Sequence, residues 1–433
     1  MSKEALKNRV IEAIDDRAKD IIAIGDAIWK TPELGFKEFY TAEYVIAKIQ
    51  EMGWKTKSPI ALTGLKAYLK DHQSPTIGII GELDAVRCPE HLESDPITGA
   101  VHACGHHAQI ACMLGAGFGL TDSEIINKLA GNVVLISVPA EEFLEIEYRR
   151  SLQIKGQLEF FGGKQEFIRL GAFNDVHISL GTHSSSDLQG KLGFGGSNNG
   201  FIGKLVHYIG LEAHAGGAPH KGINALNAAM LGLMGIHAQR ETFREEDFIR
   251  IHPIITKGGE IVNNVPADVR LETYVRGRTI DAITQANRQV NRALKAGASA
   301  IGAKVETLEI PGYMPYQQAP ELVELFKTNG HTLVSKSQMS NEPHSTGSTD
   351  LGDVSCIMPT SSFKMGGCSG ATHGRSFQVD DKYLQYVIPA KLLAMTCIDL
   401  LYDNANKANT IISSFTPTIS PTNYEKTMNN IIN

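Results

Sequence analysis

Three short apolar runs rich in β-branched residues, TIGIIG (76–81), VVLISV (133–138) and VHISL (176–180), are separated by stretches with helical spacing. That alternation predicts an α/β sheet flanked by helices, and sheets of this kind collect ligands at strand ends. Upstream, Leu6, Val10 and Ile14, and then Val45, Ile46 and Ile49, predict two helices broken near Pro32. After the Gly-rich stretch LGFGGSNNG (192–200) the pattern changes. It runs strand (203–211), helix (223–239), strands (248–256 and 268–276), helix (280–300) and strand (303–310), a split βαβ order. Beyond the Pro-marked stretch 311–320, a helix near 321–334, a strand near 354–358 and a closing helix at 381–402 resume the first pattern. The expected fold is a catalytic α/β/α sheet domain built from 1–197 and 314–433, carrying an inserted ferredoxin-like lid domain at 198–313. The last thirty residues, rich in Asn, Thr and Ser, read as a loosely held tail. No internal repeat is visible.

A chain of 433 residues accommodates this two-part plan. With 42% hydrophobic and 20% charged residues it has the profile of a core-forming protein, not a disordered one. Lys plus Arg number 41 against 47 Asp plus Glu, so no basic excess is available for phosphates and nucleic acid is not an expected partner. No run approaches the roughly 18 apolar residues of a membrane span, and the charged start has no signal core. The expectation is a cytoplasmic protein with no membrane partner. Its six cysteines (Cys88, Cys104, Cys112, Cys356, Cys368, Cys397) lack framework spacing and are expected to be reduced.

The densest chemical cluster is His102-Ala-Cys104-Gly-His106-His107. Cys104 and His106 are two apart and cannot share a helix face, so they belong to a loop or a helix start. There the helix dipole favours thiolate, and thiolate with imidazole favours zinc. A packed Cys beside surface histidines would give the same pattern, since two donors do not make a site of about four. Val138-Pro-Ala-Glu141-Glu142 places two carboxylates directly after an apolar strand. One can bind metal while the other acts as general base on a metal-bound water, although a Glu pair alone is usually a solvated loop. Gly181-Thr182-His183 ends another strand, and Ala371-Thr372-His373-Gly374 lies near the C-terminus. A lone His is more often structural.

Taken together and in order, these segments resemble the zinc aminoacylase/carboxypeptidase superfamily in its amidohydrolase branch, which includes hippuricase, the indole-acetyl-amino-acid hydrolases and aminobenzoyl-glutamate hydrolase. GELDAV (81–86), HACGHH (102–107), VPAEE (138–142), GGKQEFIRLGAFNDVH (162–177), GLEAHAGGAPHKGINAL (210–226) and GGEIVNNVPADVRLETYVR (258–276) carry the resemblance. STDLGDVSCIMPT (348–360) is similar to the aminobenzoyl-glutamate side of the branch. The resemblance implies metal ligation by Cys104, His106, Glu142, His183 and His373. Five donors exceed one tetrahedral zinc and suit two divalent ions sharing a ligand or a bridging hydroxide. Zinc is expected, with manganese, cobalt or nickel as substitutes.

By the same resemblance Glu141 is the general base, and His214 reaches the partner subunit's site, which implies a homodimer formed through the lid. Asn263 and Arg276 grip a substrate carboxylate or the oxyanion, and Asp84 supports a ligand from behind. The implied activity is hydrolysis of the amide in N-acyl amino acids, aminobenzoyl-glutamate or dipeptides. The alternatives are an aminopeptidase or dipeptidase of the same fold, which would need an acidic anchor in place of Arg276, and a non-catalytic binding relative. Three features depart from the branch pattern: His107 replaces an Asp, Glu82 replaces the first Asp of its D-x-D-A segment, and residues 143–161 form a longer connection that shapes a pocket or an interface.

Overall fold

The computed structural model describes residues 1–71 and 73–431. The chain divides into two compact units. The first comprises Met1–Ser197, Gln317–Pro343 and Asp353–Tyr424. The second comprises Asn198–Tyr316 and His344–Gly352, and it also takes in residues from Glu425 onward.

The first unit is built on an eight-stranded sheet in the order 55–60, 64–68, 132–138, 76–82, 178–184, 360–365, 192–194 and 339–341. Its four central strands, 132–138, 76–82, 178–184 and 360–365, run parallel. Strands 76–82 and 132–138 are buried along their whole length, as expected for parallel strands covered on both faces. Helix His106–Leu120 is buried almost all round. It packs beside strand 76–82 and helices Lys3–Asp16, Ala18–Trp29 and Ile388–Leu401. Gly119 makes that approach possible, because a β-carbon there would press into Val10 and Ile14. The segment Tyr383–Leu401 is long and apolar enough to cross a membrane, but nearly all of it is buried within this unit.

Four expectations need correction. The N-terminal region holds three helices (Lys3–Asp16, Ala18–Trp29, Phe39–Glu51), with a break at Arg17 that no Gly or Pro marks. The Arg17 guanidinium stacks 4.5 Å from the Phe118 ring. Residues 354–357 belong to helix Leu351–Ile357, and the strand is Thr360–Met365. The apolar positions Leu351, Val354, Ile357 and Met358 do follow helical spacing, and such short runs are ambiguous by pattern alone. The stretch 248–256 splits into two short strands, 250–251 and 254–257, around Pro253, which cannot donate to a ladder.

The C-terminal stretch is not a loose tail. It forms helices Asn406–Ser414 and Tyr424–Ile431, with Ala408, Ile411, Ile419, Tyr424 and Met428 buried. The Tyr424 hydroxyl donates to the buried Asp353 carboxylate at 2.5 Å.

The second unit has an antiparallel sheet in the order 250–251, 268–277, 200–209, 304–311, with strand 254–257 continuing the edge beside 268–277. Helices Ala225–Ala238 and Ile280–Ile301 are its two helical elements of length, and this is the β-α-β-β-α-β succession. Thr279 caps the longer helix by accepting from the Ala282 N–H at 3.2 Å. The helix then buries Ile283, Ala286, Val290, Leu294 and Ala298 at i, i+3 and i+4 spacing.

Deleting the hydroxyl in Tyr424→Phe leaves the Asp353 carboxylate short of a buried donor. It is expected to cost about 1–3 kcal/mol, read as a lower urea midpoint; an unchanged midpoint would contradict the described anchoring of the C-terminal segment.

Candidate metal centre

The parallel strands deliver four of the relevant segments to one end of the first unit's sheet. Strand 76–82 ends at Glu82 and leads to Asp84, strand 132–138 leads to Glu141 and Glu142, and strand 178–184 carries His183. Cys104 precedes helix 106–120, and Gly105 makes the turn between them with a left-handed φ of 86°. A β-carbon at 105 would also collide with the Ser184 side chain. Glycine is therefore required there on both backbone and packing grounds. His373 has φ 60°, and its backbone N–H donates to the Ala103 carbonyl at 2.9 Å.

Cys104, His106, Glu141, Glu142, His183 and His373 converge. One donor group comprises Cys104, His106 and His183, a second comprises Cys104, Glu142 and His373, and a third comprises Glu82, His106 and Glu141. The Cys104 sulfur is common to the first two and lies 3.5 Å from His183 Nε2. His373 Nε2 lies 2.9 Å from Glu142 Oε1. The Nδ1–H of His106 donates to the Asp84 carbonyl at 2.9 Å, and that of His183 donates to the Ser184 carbonyl at 2.7 Å. A carbonyl can only accept, so each imidazole keeps its Nδ1–H there and turns Nε2 toward the cluster. His106 Nε2 is fully buried and has no hydrogen-bond partner. An orphaned imidazole nitrogen among a thiol and several carboxylates fits a divalent cation.

Electrostatics agree with that donor chemistry. Burial and Glu142 push the Cys104 thiol up, but the imidazoles of His106 and His183 outweigh them and bring it to about 6. Burial raises Glu142, yet His373 and His106 carry it down to about 2. Burial lowers His373, and Glu142 with Cys104 reverses this to about 11. His106 and His183 are likewise moved up against their burial, chiefly by Cys104 and Glu82.

Surrounding residues fix the loops. The Asp84 carboxylate accepts the backbone N–H groups of Glu141 (3.1 Å) and Glu142 (2.9 Å). Ala140, at φ 53°, donates its N–H to Glu38 at 2.8 Å. Burial and the nearby Asp84 push Glu38 up to about 8. The 143–161 connection supplies Arg149, which is buried and donates to the carbonyls of Glu142 and Phe161. Glu82 pairs with Lys164 at 2.6 Å inside the protein, where removing one partner costs roughly 3–5 kcal/mol. Arg149, Glu38 and Lys164 were not legible as site residues. Each stands in a segment with no metal-ligand spacing, and only tertiary packing brings them in.

His107 faces away from the donors: its Nε2 lies 3.2 Å from the Tyr386 hydroxyl and its ring packs edge-on against Trp29. Burial, then His106, drives it down to about 3, so it is neutral. His214, Asn263 and Arg276 belong to the second unit. His214 and Asn263 are both exposed and lie on adjacent backbone, where Ala215 N–H donates to the Asn263 carbonyl at 2.9 Å. His214 Nδ1 accepts from the Gly217 N–H at 2.9 Å. Arg276 donates to the Ser348 hydroxyl at 3.0 Å and lies over the Phe201 and Tyr274 rings.

A family model described as peptidase family M20/M25/M40 matches residues 78–393. The Xaa-Arg dipeptidase of Mus musculus is 26% identical over 420 residues, covering 93% of this chain and 90% of that protein. The IAA-amino acid hydrolase ILR1-like 4 of Arabidopsis thaliana is 24% identical, covering 90% and 88%. A crystal structure of a dinuclear metal-binding peptidase from Bacillus subtilis superposes with a TM-score of 0.66 at 21% identity, covering 89% of this chain and 99% of that one.

The His373 imidazole, carried to about 11, holds a proton that an incoming ion must displace. Metal loading near pH 7.5 is expected to release at least one proton per chain, and affinity should rise with pH from 6 to 8. Calorimetry in buffers of different ionisation enthalpy measures this, and zero net release would contradict the described charge state.

Proposed function

This chain is a member of peptidase family M20/M25/M40, and from that premise we propose that it cleaves the amide of N-acyl amino acids or closely related aminobenzoyl-glutamate and dipeptide substrates, with Glu141 as general base. Family and relatives make it a metal-dependent hydrolase of amide or peptide bonds. The observation that carries the finer reading is the sharing of Cys104 between two donor groups, with Glu141 beside them and outside both. In this reading Cys104, His106, Glu142, His183 and His373 hold two divalent ions, zinc first, with manganese, cobalt or nickel as substitutes. Bound there, the ions supply Lewis acidity that polarises an amide carbonyl and eases deprotonation of water. Glu141 takes a proton from the attacking water and returns it to the departing amine nitrogen. Asp84 fixes the backbone from which Glu141 projects. Arg276 and Asn263 receive the substrate carboxylate or the oxyanion, Arg through its planar fork, and His214 completes the site of a partner subunit.

The homodimer in this reading forms through the second unit. Met230 and Met234 on helix 225–238, Ile254 and Ile255 on the edge strand, and Ile261 and Val262 beside Asn263 are all exposed there. Apolar side chains in such number mark an association surface. The reading places the protein in the cytoplasm with its cysteines reduced; all six are free and buried. The net charge of −6 supports small molecules, not nucleic acid, as partners.

A dipeptidase is the second reading, favoured by the likeness to the Xaa-Arg dipeptidase along 93% of the chain. A metal-loaded screen of N-acetyl, N-benzoyl and indole-acetyl amino acids, aminobenzoyl-glutamate and dipeptides ending in Arg separates the two. Turnover confined to dipeptides would overturn the N-acyl reading. Glu141→Gln is expected to keep its metal content and lose roughly 10²–10⁴-fold in kcat; an unchanged kcat removes Glu141 from the base role. Met234→Asp should shift the protein from dimer to monomer in sedimentation velocity, and a wild-type monomer would refute the assembly.

A further inference from the structure

Glu82 is left without a task by the reading above, yet it is the carboxylate nearest to His106. Its Oε2 lies 3.1 Å from His106 Nε2, against 3.9 Å for Glu141 Oε2. Two buried groups hold it there. Lys164 Nζ donates to Oε1 at 2.6 Å and Gln109 Nε2 donates to Oε2 at 2.6 Å. Glu82, Lys164, Gln109 and His106 are all shielded from solvent.

The contact between Glu82 and His106 is not a hydrogen bond. His106 spends its Nδ1–H on the Asp84 carbonyl, and its Nε2 has no partner of acceptable geometry even with Oε2 at 3.1 Å. Oε2 and Nε2 thus face each other across a buried space with no hydrogen bond between them. Two ligands of one divalent ion stand in that relation. With metal–ligand bonds of about 2.0–2.2 Å, neighbouring donors are about 3–3.5 Å apart at octahedral or tetrahedral angles.

We infer that Glu82, held in place by Lys164 and Gln109, is itself an oxygen donor to the divalent ion bound by His106, adding carboxylate oxygen to its imidazole and thiolate ligands. This rests on the reading that the cluster binds metal. His106 belongs to two donor groups at once, one with Cys104 and His183 and one with Glu82 and Glu141. Carboxylate oxygen favours harder ions such as Mn²⁺, whereas thiolate and imidazole favour Zn²⁺. Glu82 thus widens the range of ions the chain retains. Lys164 offsets the added negative charge within a cage already rich in anions.

The test measures Mn²⁺ and Zn²⁺ affinity and stoichiometry by competition with a chelating dye for the full chain, for Glu82→Gln, and for the double variant Glu82→Gln/Lys164→Met. The double variant leaves no unpaired buried charge, and a thermal melt identifies the variants that fold. The Co²⁺-loaded forms are compared by visible absorption. The expected result is at least tenfold weaker Mn²⁺ binding in the variants, less than threefold change for Zn²⁺, and an altered Co²⁺ ligand-field spectrum. Equal changes for both ions, or an unaltered Co²⁺ spectrum with both affinities intact, overturn the assignment while leaving the metal centre standing. A wild-type chain that binds neither ion overturns both.

Discussion

The buried Asp84 carboxylate is the junction on which the candidate centre depends. Its two oxygens accept the N–H groups of Glu141 and Glu142, and the carbonyl of the same residue receives the His106 Nδ1–H. One residue thus ties the end of strand 76–82 to the loop after strand 132–138 and to the start of helix 106–120. A carboxylate that accepts backbone N–H groups in a dry interior forms charge-assisted bonds, which are stronger and more directional than neutral ones. Glu141 and two donor-bearing segments are therefore set by one fixed point, so the donor cluster is held in shape by the protein itself.

The loop bearing Glu141 and Glu142 needs that reinforcement because its backbone is strained. Ala140 adopts a left-handed φ of 53°, a conformation uncommon outside glycine. Glu38 holds the Ala140 N–H from one side, and Arg149 holds the Glu142 carbonyl from the other. The long 143–161 connection therefore acts on the site through a guanidinium that satisfies carbonyls which water cannot reach. Its length is explained by the helix Ile146–Ile154 that carries Arg149.

Three of the first unit's four central strands were legible in the sequence because each carries a short apolar run, whereas the fourth, Thr360–Met365, is half polar and was missed. The spacing of Cys104 and His106 also required a helix start, and Gly105 provides one. What escaped the sequence had physical reasons. The break at Arg17 interrupts an apolar stripe that resumes in phase at Ile21, so no period change announces it. The 351–357 helix was read as a strand because seven residues are too few for periodicity to decide. The C-terminal stretch misled through composition: its polar residues face outward, while a few well-spaced apolar ones, Ile411, Tyr424 and Met428 among them, do the anchoring. Glu82 shows the limit most clearly, since its environment is made by Lys164, 82 residues away in sequence.

The order in which the sheet is assembled bears on how the chain is born. Strand 178–184 has as its parallel neighbour strand 360–365, and between them in sequence lies most of the second unit. His373 and the buried helix 388–401 come later still. During synthesis, a ribosome at roughly 5–20 residues per second must extend the polypeptide by nearly half its length after His183 before the sheet can close. For that interval the Cys104 thiol and the apolar strand edge have no native cover. Contacts so distant in sequence fold slowly, so closure of this sheet is a late and slow step in the folding of the chain.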